Sequence, residues 1–465
     1  MRTERDSQGF TLVELMVVVL VIAILMAIAV PTFLGARSRG QDSAARNSLD
    51  IAAKATLIAG GPTSASLSTS ATELAAAEPA LSFVSGTSTG PKSVSVAGDT
   101  TVAYLAVQAA SGTCFRMTRT LSSVSSTSTT GDTCSAVAAA GPASSALATL
   151  VAGNGTYGTT GDGGAATSAA LVNRPNGIAR ATDGTVYIAE STRGIRKIAA
   201  DGTISTLVGA GQLSVPRSLA ISPSGVLYVG EEDGCRVRSV SANGSLTVVA
   251  GTGNCGGSGT TGTAVSSAIG PVLGMTFDSS GNLYIAEDWP SCRVRKITPG
   301  GTISLFAGSG SCTFSGTDGA ATSAGLNEPA GLAVHPDGTV YIAENGSSML
   351  RKVGADGIIR AVAGYYGWTG NSGDGGLAID AYLYHPVALA FDAGGNLYIA
   401  DEGNHRIRKI DPTGYITRVA GLGNSGDSGI GGLATSAVFA SPRGVVPTGD
   451  GGVLFTTANR VVRAG

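Results

Sequence analysis

A seven-residue phrase occurs five times between residues 184 and 401 of this 465-residue chain. The copies are GTVYIAE (184–190), GVLYVGE (225–231), GNLYIAE (281–287), GTVYIAE (338–344) and GNLYIAD (395–401). A proline precedes each copy, and an arginine-containing apolar segment and a further apolar segment ending in Gly follow it. Together with the segment that begins at the proline, each unit therefore has four short strand-like segments. Four strands per unit of roughly 40–60 residues predict a β-propeller.

A sixth unit, which contains GGVLFTT (451–457), reaches Gly465 before its fourth strand. A matching fourth-strand phrase, ATLVAG (148–153), stands ahead of the first unit. We expect this segment to complete the last blade, because pairing the two ends of a ring removes its free sheet edges. Residues 147–465 are then an all-β, six-bladed propeller closed by an N-terminal strand.

The repeat resembles the NHL family in its order of elements. Pro386 is followed by Leu-Tyr-Ile-Ala-Asp, then by Arg-Ile-Arg-Lys-Ile and finally by Val-Ala-Gly (419–421). The resemblance covers about 147–465 and implies a propeller fold. Some NHL-like propellers are amidating lyases or related hydrolases that hold a metal with axial histidines.

The histidines of this chain do not follow such a pattern. His335 follows an inner strand, whereas His385 precedes one and His405 opens a third strand. Because they occupy different registers, we expect no axial metal triad, no cofactor and no catalytic residue, so the propeller is not interpreted as an enzyme. A zinc site formed by His385, His405 and Asp401 is the alternative.

The amino-terminal part is different in kind. Residues 15–30 are sixteen consecutive apolar residues, and further apolar positions extend the stretch far enough to cross a membrane as a helix. Glu14 interrupts this stretch near its beginning. A carboxylate there is costly in lipid and points to a function, although it can also reach the lipid head groups from this position.

The segment Gly9-Phe10-Thr11-Leu12-Val13-Glu14 resembles the processing site of type IV pilins and of the pseudopilins of type II secretion. The resemblance implies that a prepilin peptidase removes a leader (1–9) by cleaving between Gly9 and Phe10 on the cytoplasmic side. It also implies N-methylation of Phe10, an assembly helix over 10–59, and a bend at Pro31, which lacks a backbone donor.

Glu14 gains a physical role from this resemblance. In an apolar filament core, an unpaired charge is penalised by several kcal/mol. Pairing of the Glu14 carboxylate with the terminal amine of Phe10 in a neighbouring subunit therefore fixes the register of assembly.

Residues 60–134 predict a small β-containing head of the pilin type. Alternating residues at 93–97, 101–109 and 113–120 indicate strands. The pilin resemblance implies that Cys114 and Cys134 form a disulfide, and two free thiols are the alternative. A charge-free stretch of small residues, 135–146, reads as a linker.

In a propeller with strands a to d from the centre outward, the b–c and d–a loops lie on one face. Both loops of two consecutive blades contain one cysteine each. Their common spacing of 20 residues predicts the disulfides Cys235–Cys255 and Cys292–Cys312. Paired cysteines indicate an oxidising compartment and place the propeller outside the cytoplasm.

The same loops contain both tryptophans of the chain and a pair of tyrosines. We single out Trp289, Tyr365, Tyr366 and Trp368 as a candidate ligand face, because aromatic residues in loops are frequent anchors for protein or sugar ligands. The alternative is that these rings pack over the tops of the blades.

Two sets of charged residues recur in register. Asp162, Asp318 and Asp374 precede runs of small residues and are expected to cap short helical turns, with a calcium site as the alternative. An acid that ends strand b and an arginine in strand c are expected to form structural ion pairs; a charged channel mouth is the alternative. These residues are Glu190, Glu231, Glu287, Glu344, Asp401, Arg196, Arg238, Arg295, Arg351 and Arg408.

The net charge of −2 gives no basic surface for nucleic acid. We therefore expect a pilin-like subunit, minor or at the tip because the propeller is bulky, that displays an adhesive or ligand-binding propeller. It passes once through the cytoplasmic membrane with its N-terminus inside and then joins a surface filament. Expected partners are prepilin peptidase, other pilin subunits and an extracellular protein or glycan. Alternatives are a secretion pseudopilin that engages cargo and a membrane-tethered lyase or hydrolase.

Overall fold

A computed structural model describes residues 146–172, 175–256 and 261–465, together with the backbone of five strands between 82 and 130. The chain divides into two compact units, Met1–Gly141 and Pro142–Gly465.

The first unit contains one five-stranded sheet, in which consecutive strands are neighbours. Its strands are β1 (Ser82–Val84), β2 (Ser93–Gly98), β3 (Val102–Gln108), β4 (Thr113–Thr120) and β5 (Val124–Thr130). The first two run parallel and the others are antiparallel. The three strands that alternation predicted in this region are confirmed.

Several expected sites lie outside the described residues. They are the cleavage site at Gly9 and Phe10, the helix with Glu14 and Pro31, and the pair Cys114–Cys134, of which only the strand backbone at Cys114 is described. Within the described part of the chain, no helix is both long and apolar enough to cross a membrane.

The second unit is a six-bladed propeller, and its blades are numbered here by the chain order of their inner strands. It begins with β6 (Ala148–Ala152), which belongs to blade 6. Blade 1 contains β7 (Ile178–Arg180), β8 (Val186–Glu190), β9 (Gly194–Ile198) and β10 (Ile204–Val208). Blade 2 contains β11 (Pro216–Ile221), β12 (Leu227–Glu231), β13 (Arg236–Val240) and β14 (Leu246–Ala250).

Blades 3 and 4 each have a short fifth strand at the outer edge. Blade 3 contains β15 (Thr261–Thr263), β16 (Val272–Phe277), β17 (Leu283–Glu287), β18 (Arg293–Ile297) and β19 (Thr302–Ala307). Blade 4 contains β20 (Gly319–Ala320), β21 (Pro329–Val334), β22 (Val340–Glu344), β23 (Met349–Val353) and β24 (Ile358–Ala363).

The last two blades have four strands each. Blade 5 contains β25 (Pro386–Phe391), β26 (Leu397–Asp401), β27 (Arg406–Ile410) and β28 (Ile416–Ala420). Blade 6 contains β29 (Val445–Pro447), β30 (Val453–Thr457), β31 (Arg460–Ala464) and β6. Five 3₁₀ turns lie between strands: η1 (Ala166–Ser168), η2 (Ala264–Ser266), η3 (Ala321–Ser323), η4 (Ala378–Asp380) and η5 (Glu402–Asn404).

The ring closes as the sequence predicts. Strand β6 pairs antiparallel with β31, with Ala148 opposite Ala464 and Leu150 opposite Val462. The inner strands of successive blades contact one another around the ring, including those of blades 6 and 1. The expected six-bladed propeller, completed by an N-terminal strand, is therefore confirmed.

The hydrophobic core lies between the faces of adjacent blades. In one such cluster, Val237 and Ala250 of blade 2 pack with Ile285 and Ile297 of blade 3, and all four side chains are buried. Apolar residues on both faces of the strands explain why the repeat phrase is almost continuously hydrophobic.

The acids and arginines that recur in strands b and c form structural ion pairs, as expected. The pairs are Arg196–Glu190 (4.0 Å), Arg238–Glu231 (3.2 Å), Arg295–Glu287 (2.5 Å), Arg351–Glu344 and Arg408–Asp401 (3.5 Å). All five carboxylates are fully buried. Blade 6 has Thr457 and Val462 in the corresponding positions and packs there without a buried pair.

Five of the six d–a connections run along the outer edge of the next blade, and we call these segments straps (163–166, 261–264, 318–321, 375–378 and 431–434). Each strap ends in a buried alanine, whose N–H donates to a backbone carbonyl beside the outer strand. The bonds are Ala166 to Gly202 (2.9 Å), Ala264 to Gly301 (2.8 Å), Ala321 to Gly357 (2.9 Å), Ala378 to Gly414 (2.8 Å) and Ala434 to Ala146 (2.8 Å).

The expectation that Asp162, Asp318 and Asp374 cap the turns is wrong. The residues at the start of these turns are Ala165, Ala320 and Leu377, and no side chain caps them. The physical reason is tertiary for two of the aspartates, which the guanidinium groups of strand c attract. Asp162 lies 2.6 Å from Arg196, and Asp374 lies 2.9 Å from Arg408.

Candidate functional site

The b–c and d–a loops form one face of the propeller, which we call the loop face. Two disulfides link these loops: Cys235 is bonded to Cys255 and Cys292 to Cys312, in the pairing that the spacing predicts. Closing a loop of this length stabilises a fold by roughly 3 kcal/mol in the chain-entropy model. The disulfides therefore hold the loops of blades 2 and 3 in fixed positions.

The channel along the propeller axis is too narrow for a sizeable ligand. At Gly274 an added Cβ would lie 1.8 Å from the carbonyl oxygen of Ala330, so the inner strands of blades 3 and 4 touch backbone to backbone. The cavity that the inner strands enclose has a volume of about 100 Å³. A larger ligand can therefore approach only the mouth of the channel.

Two arginines stand at the loop-face mouth of the channel, each paired with a carboxylate of its own blade or the one before. Nη1 of Arg217 lies 3.2 Å from Oε2 of Glu232. Nη2 of Arg443 lies 3.0 Å from Oε1 of Glu402, and its Nη1 donates to Oδ1 of Asn176 at 3.0 Å. The mouth therefore offers both donors and acceptors to a polar ligand.

The charges at this mouth influence one another. Burial lowers the pKa of Arg217, while Glu232 and Glu402 act in the opposite direction. Burial also raises the pKa of Asp288, and the nearby Glu328 raises it further, against the opposing charge of Arg217. Within the described residues, Oδ1 of Asp288 is buried without a hydrogen-bond partner.

The histidines do not meet at this mouth. Nδ1 of His385 lies 2.8 Å from Oδ1 of Asn345, and Nδ1 of His405 accepts a hydrogen bond from the backbone N–H of Ser441 at 3.1 Å. His335 lines a groove between blades 4 and 5 on the opposite face, 2.9 Å from Asp337. In the described part of the chain, no three His, Cys, Asp or Glu residues are grouped so that they could hold a metal.

The aromatic residues of the candidate ligand face are exposed. Trp289 is 71% and Trp368 67% accessible to solvent, and Tyr365 and Tyr366 are also exposed. The ring of Tyr366 stacks on Phe314 with 4.6 Å between ring centroids. The ring of Tyr365 lies 5.3 Å from that of Tyr382, so packing over the blade tops holds both tyrosines in place, but it does not bury the tryptophans.

Sequence reasoning missed exposed aromatic residues of the loop face, among them Tyr384 and the strongly exposed Tyr157. Tyr157 occupies the register of Cys255, Cys312 and Trp368, because each stands four residues after the glycine that follows strand d. Aligning the d–a loops on these glycines would have found it. In blades 2 and 3 this register holds the disulfide, whereas in blades 4 and 6 it presents an aromatic ring.

Sequence reasoning also missed the polar residues of the channel mouth. The signal that could have found them is the position after the buried acid of strand b, which holds Glu232, Asp288, Asn345 and Glu402 in successive blades. The four positions before it are nearly constant, so this variation in charge marks a surface that packing does not determine.

Three family models match the sequence. The prokaryotic N-terminal methylation motif matches residues 5–30. The Teneurin NHL domain matches residues 148–219 and 254–354, and the NHL repeat matches residues 383–410. The suspected fusion of a pilin-type N-terminal segment with NHL repeats is therefore confirmed.

Relatives among curated proteins match less than half of this chain. Teneurin-4 of Homo sapiens is 34% identical over 229 residues, which are 41% of this chain and 8% of that protein. NHL repeat-containing protein 2 of Bos taurus is 33% identical over 165 residues, which are 33% of this chain and 22% of that protein. The chain thus spans less than a tenth of the teneurin that it matches.

Solved structures from Bacteroides thetaiotaomicron share the fold. A structural genomics protein of unknown function has a TM-score of 0.55 and 19% identity, over 76% of this chain and 81% of that one. An auxiliary nutrient binding protein has a TM-score of 0.53 and 15% identity, over 80% of this chain and 88% of that one. The chain therefore combines a pilin-type methylation motif, which implies membrane-anchored export, with an NHL-type propeller.

Proposed function

We propose that this chain is a minor or tip subunit of a type IV pilus-like filament, and that its propeller binds an extracellular protein or glycan through the loop face. The observation that carries the proposal is the methylation motif at residues 5–30, placed ahead of a closed propeller whose exposed tryptophans share one face. Prepilin peptidase and other pilin subunits are the partners that this motif implies.

The proposed position in the filament follows from size. The propeller spans about 320 of the 465 residues, so its bulk opposes close packing of identical subunits along a fibre. A subunit present in few copies, or only at the tip, avoids this crowding. Such a subunit crosses the cytoplasmic membrane once with its N-terminus inside and displays the propeller outside the cell.

The proposal assigns binding rather than catalysis to the propeller. Arg217 and Arg443 at the channel mouth are each engaged by a carboxylate, and His335 lies on the opposite face from His385. An exposed tryptophan provides a rigid apolar surface for a ligand at a small entropic cost. Trp289 and Trp368 are therefore proposed as anchors, with the polar mouth as a neighbouring contact.

Replacing Glu14 with alanine is expected to leave membrane insertion intact and to abolish incorporation into filaments. The apolar stretch 15–30 still enters the membrane. Without the carboxylate, however, the terminal amine of Phe10 in a neighbouring subunit lacks its counterion in an apolar core. Membrane fractions and sheared filaments, probed by immunoblot, measure the two steps separately. Glu4→Ala, within the leader, is the matched control, and normal incorporation of the Glu14 variant would refute the assembly role.

The double variant Trp289→Ala and Trp368→Ala is expected to weaken ligand binding about tenfold or more, because buried aromatic anchors dominate binding interfaces. Protein and glycan arrays with the purified full chain identify the ligand, and titration of the best hit measures the loss. Val226→Ala, an exposed residue in an a–b loop of the opposite face, is the control. Equal affinities for the double variant and the wild-type chain would contradict a binding role for the loop face.

A further inference from the structure

Blade 2 lacks the strap that covers the outer strand of the other five blades. The connection that leads into it spans only residues 209–215, between β10 and β11. The other connections are about 20 residues long. The short connection into blade 2 explains why Pro175 and Pro216 are closer together than the other repeat prolines. Within the described residues, no segment pairs with the outer edge of β14.

The uncovered backbone groups can be identified by register. In blade 5, the N–H of Ile416 donates to Gly376 at 2.9 Å and its carbonyl accepts from Gly375 at 2.7 Å. Ile204 in blade 1 makes the same two bonds with its strap, at 3.0 and 2.8 Å. The corresponding residue of blade 2 is Leu246, and no hydrogen bond among the described residues engages its outward N–H and carbonyl. Gly244, two residues earlier, is buried: an added Cβ there would lie 2.2 Å from the carbonyl oxygen of Leu207 in blade 1, so this end of the edge is already covered.

The burial of side chains also distinguishes blade 2 from the blades that have a strap. Ile204, Ile303, Ile359 and Ile416 are completely buried, whereas Leu246 in the same register is partly open to solvent. Val248, two residues along the strand, is 40% exposed. Among the described residues, the missing strap therefore leaves Leu246 and Val248 partly uncovered beside the outward N–H and carbonyl of Leu246.

Among the described residues this edge carries no lysine, proline or covering segment. Its one irregularity is a bulge at Val249, and the outer strands of blades 1 and 5, which straps cover, carry the same bulge. Residues 241–251 read SANGSLTVVAG and contain no charged residue and no proline. Exposed edges in soluble proteins are commonly protected by lysine, proline, a bulge or a covering segment. In the other five blades a strap covers the outer strand, and blade 2 lacks this strap.

We propose that the outer edge of blade 2 binds an extended, uncharged segment of a partner protein, rich in Gly, Ala, Ser and Thr, by β-strand addition. The straps of this molecule define the chemistry of the occupant. They are antiparallel to the strand that they cover, four of the five contain no charged residue while the fifth begins with Asp318, and each ends in an alanine that is at most 2% exposed. A partner segment of this kind bonds the outward N–H and carbonyl of Leu246 and covers the exposed side chain of Val248. The site is independent of the loop face.

The probe is a strap of the chain itself, a fluorescein-labelled peptide with the sequence GGAATSAAL (163–171). Anisotropy titration with the full chain in detergent is expected to show saturable binding. The matched control peptide carries N-methylglycine in place of Gly163, which removes the N–H that donates to the carbonyl of Ile204 in blade 1, and is expected to bind at least tenfold more weakly.

Protein variants locate the binding to the edge. Leu246→Pro removes the outward N–H and is expected to weaken binding about tenfold or more, whereas Leu246→Ala keeps the N–H and loses less. Val248→Lys changes only an exposed residue and is expected to weaken binding even if the proline variant does not fold. Hydrogen exchange at Leu246 should slow when the peptide is bound.

The proposal is overturned if the peptide does not bind, if both peptides bind equally, or if Val248→Lys leaves the affinity unchanged. Sedimentation velocity tests the other occupant. A dimer of the full chain that Val248→Lys dissociates would mean that a second copy, rather than a partner segment, covers this edge. A monomer that binds the peptide supports the proposal.

Discussion

Replacement of Arg351 by methionine should lower the free energy of unfolding of the propeller by about 3–5 kcal/mol, the usual cost of leaving one member of a buried ion pair without its partner. Arg351 and Glu344 are both completely buried. The guanidinium also donates to the carbonyls of Ser315 (2.9 Å) and Gly325 (2.6 Å), so its loss removes these two hydrogen bonds together with the ion pair. Chemical denaturation at neutral pH measures the change.

The destabilisation should depend on pH in a defined direction. Burial already raises the pKa of Glu344, and the charge of Arg351 counteracts this rise. Without Arg351 the folded-state pKa rises further above the unfolded value, so the folded variant takes up a proton more readily than the unfolded one. Its deficit in stability is therefore largest above the folded-state pKa and shrinks as the pH falls through that pKa.

Two further variants test this explanation. Adding Glu344→Gln to the Arg351 variant should restore part of the stability, because it removes the buried charge and keeps an acceptor for the N–H of Asn327. Arg360→Ala is the matched control: its partner Asp356 is exposed, and exposed pairs contribute little. An Arg351 variant that is as stable as the Arg360 variant at every pH would show that the buried pair is not needed.

Much of the fold could be predicted from the sequence because each blade repeats the same arrangement of strands. A strand that is buried on both faces needs a continuous apolar sequence, and a buried acid at its end needs an arginine in the next strand. GNLYIAE and RVRKI therefore mark strands b and c of blade 3. The closing strand was accessible for the same reason, since Ala148–Ala152 repeats the pattern of the other outer strands. The spacing of the cysteines predicted their pairing because both lie in the same register of adjacent blades.

The features that sequence reasoning missed depend on tertiary contacts. Asp162 looked like a helix cap, but a buried guanidinium 2.6 Å away offers a stronger partner than a backbone N–H. The channel is lined by residues of all six blades, such as Arg217 and Arg443, which are far apart in sequence. The missing strap of blade 2 was visible as a short proline spacing, but its meaning depends on knowing what the longer connections cover.

We expect β6, the strand that closes the ring, to contribute more to the stability of the propeller than any other single segment of the chain. Deletion of Ala148–Ala152 leaves β31 with an unpaired edge and removes Ala148 and Ala152 from the clusters on either side of blade 6. The lost strand hydrogen bonds, at about 0.5–1.5 kcal/mol each, and the lost burial together approach the whole stability of a typical domain, about 5–15 kcal/mol. We expect the deleted chain to lose its cooperative unfolding transition and to aggregate, as measured by calorimetry and size-exclusion chromatography.

A permuted chain separates the role of the strand from its place in the sequence. In the ring, Ala464 lies opposite Ala148, and the N–H of Gly465 points to the carbonyl of Leu147. Moving Leu147–Gly153 behind Gly465 through an Asn-Gly turn therefore allows the same antiparallel pairing as a hairpin. This chain should recover a cooperative transition close to that of the natural order. If the deleted chain itself remains monomeric and unfolds at the wild-type temperature, β6 does not hold the ring together.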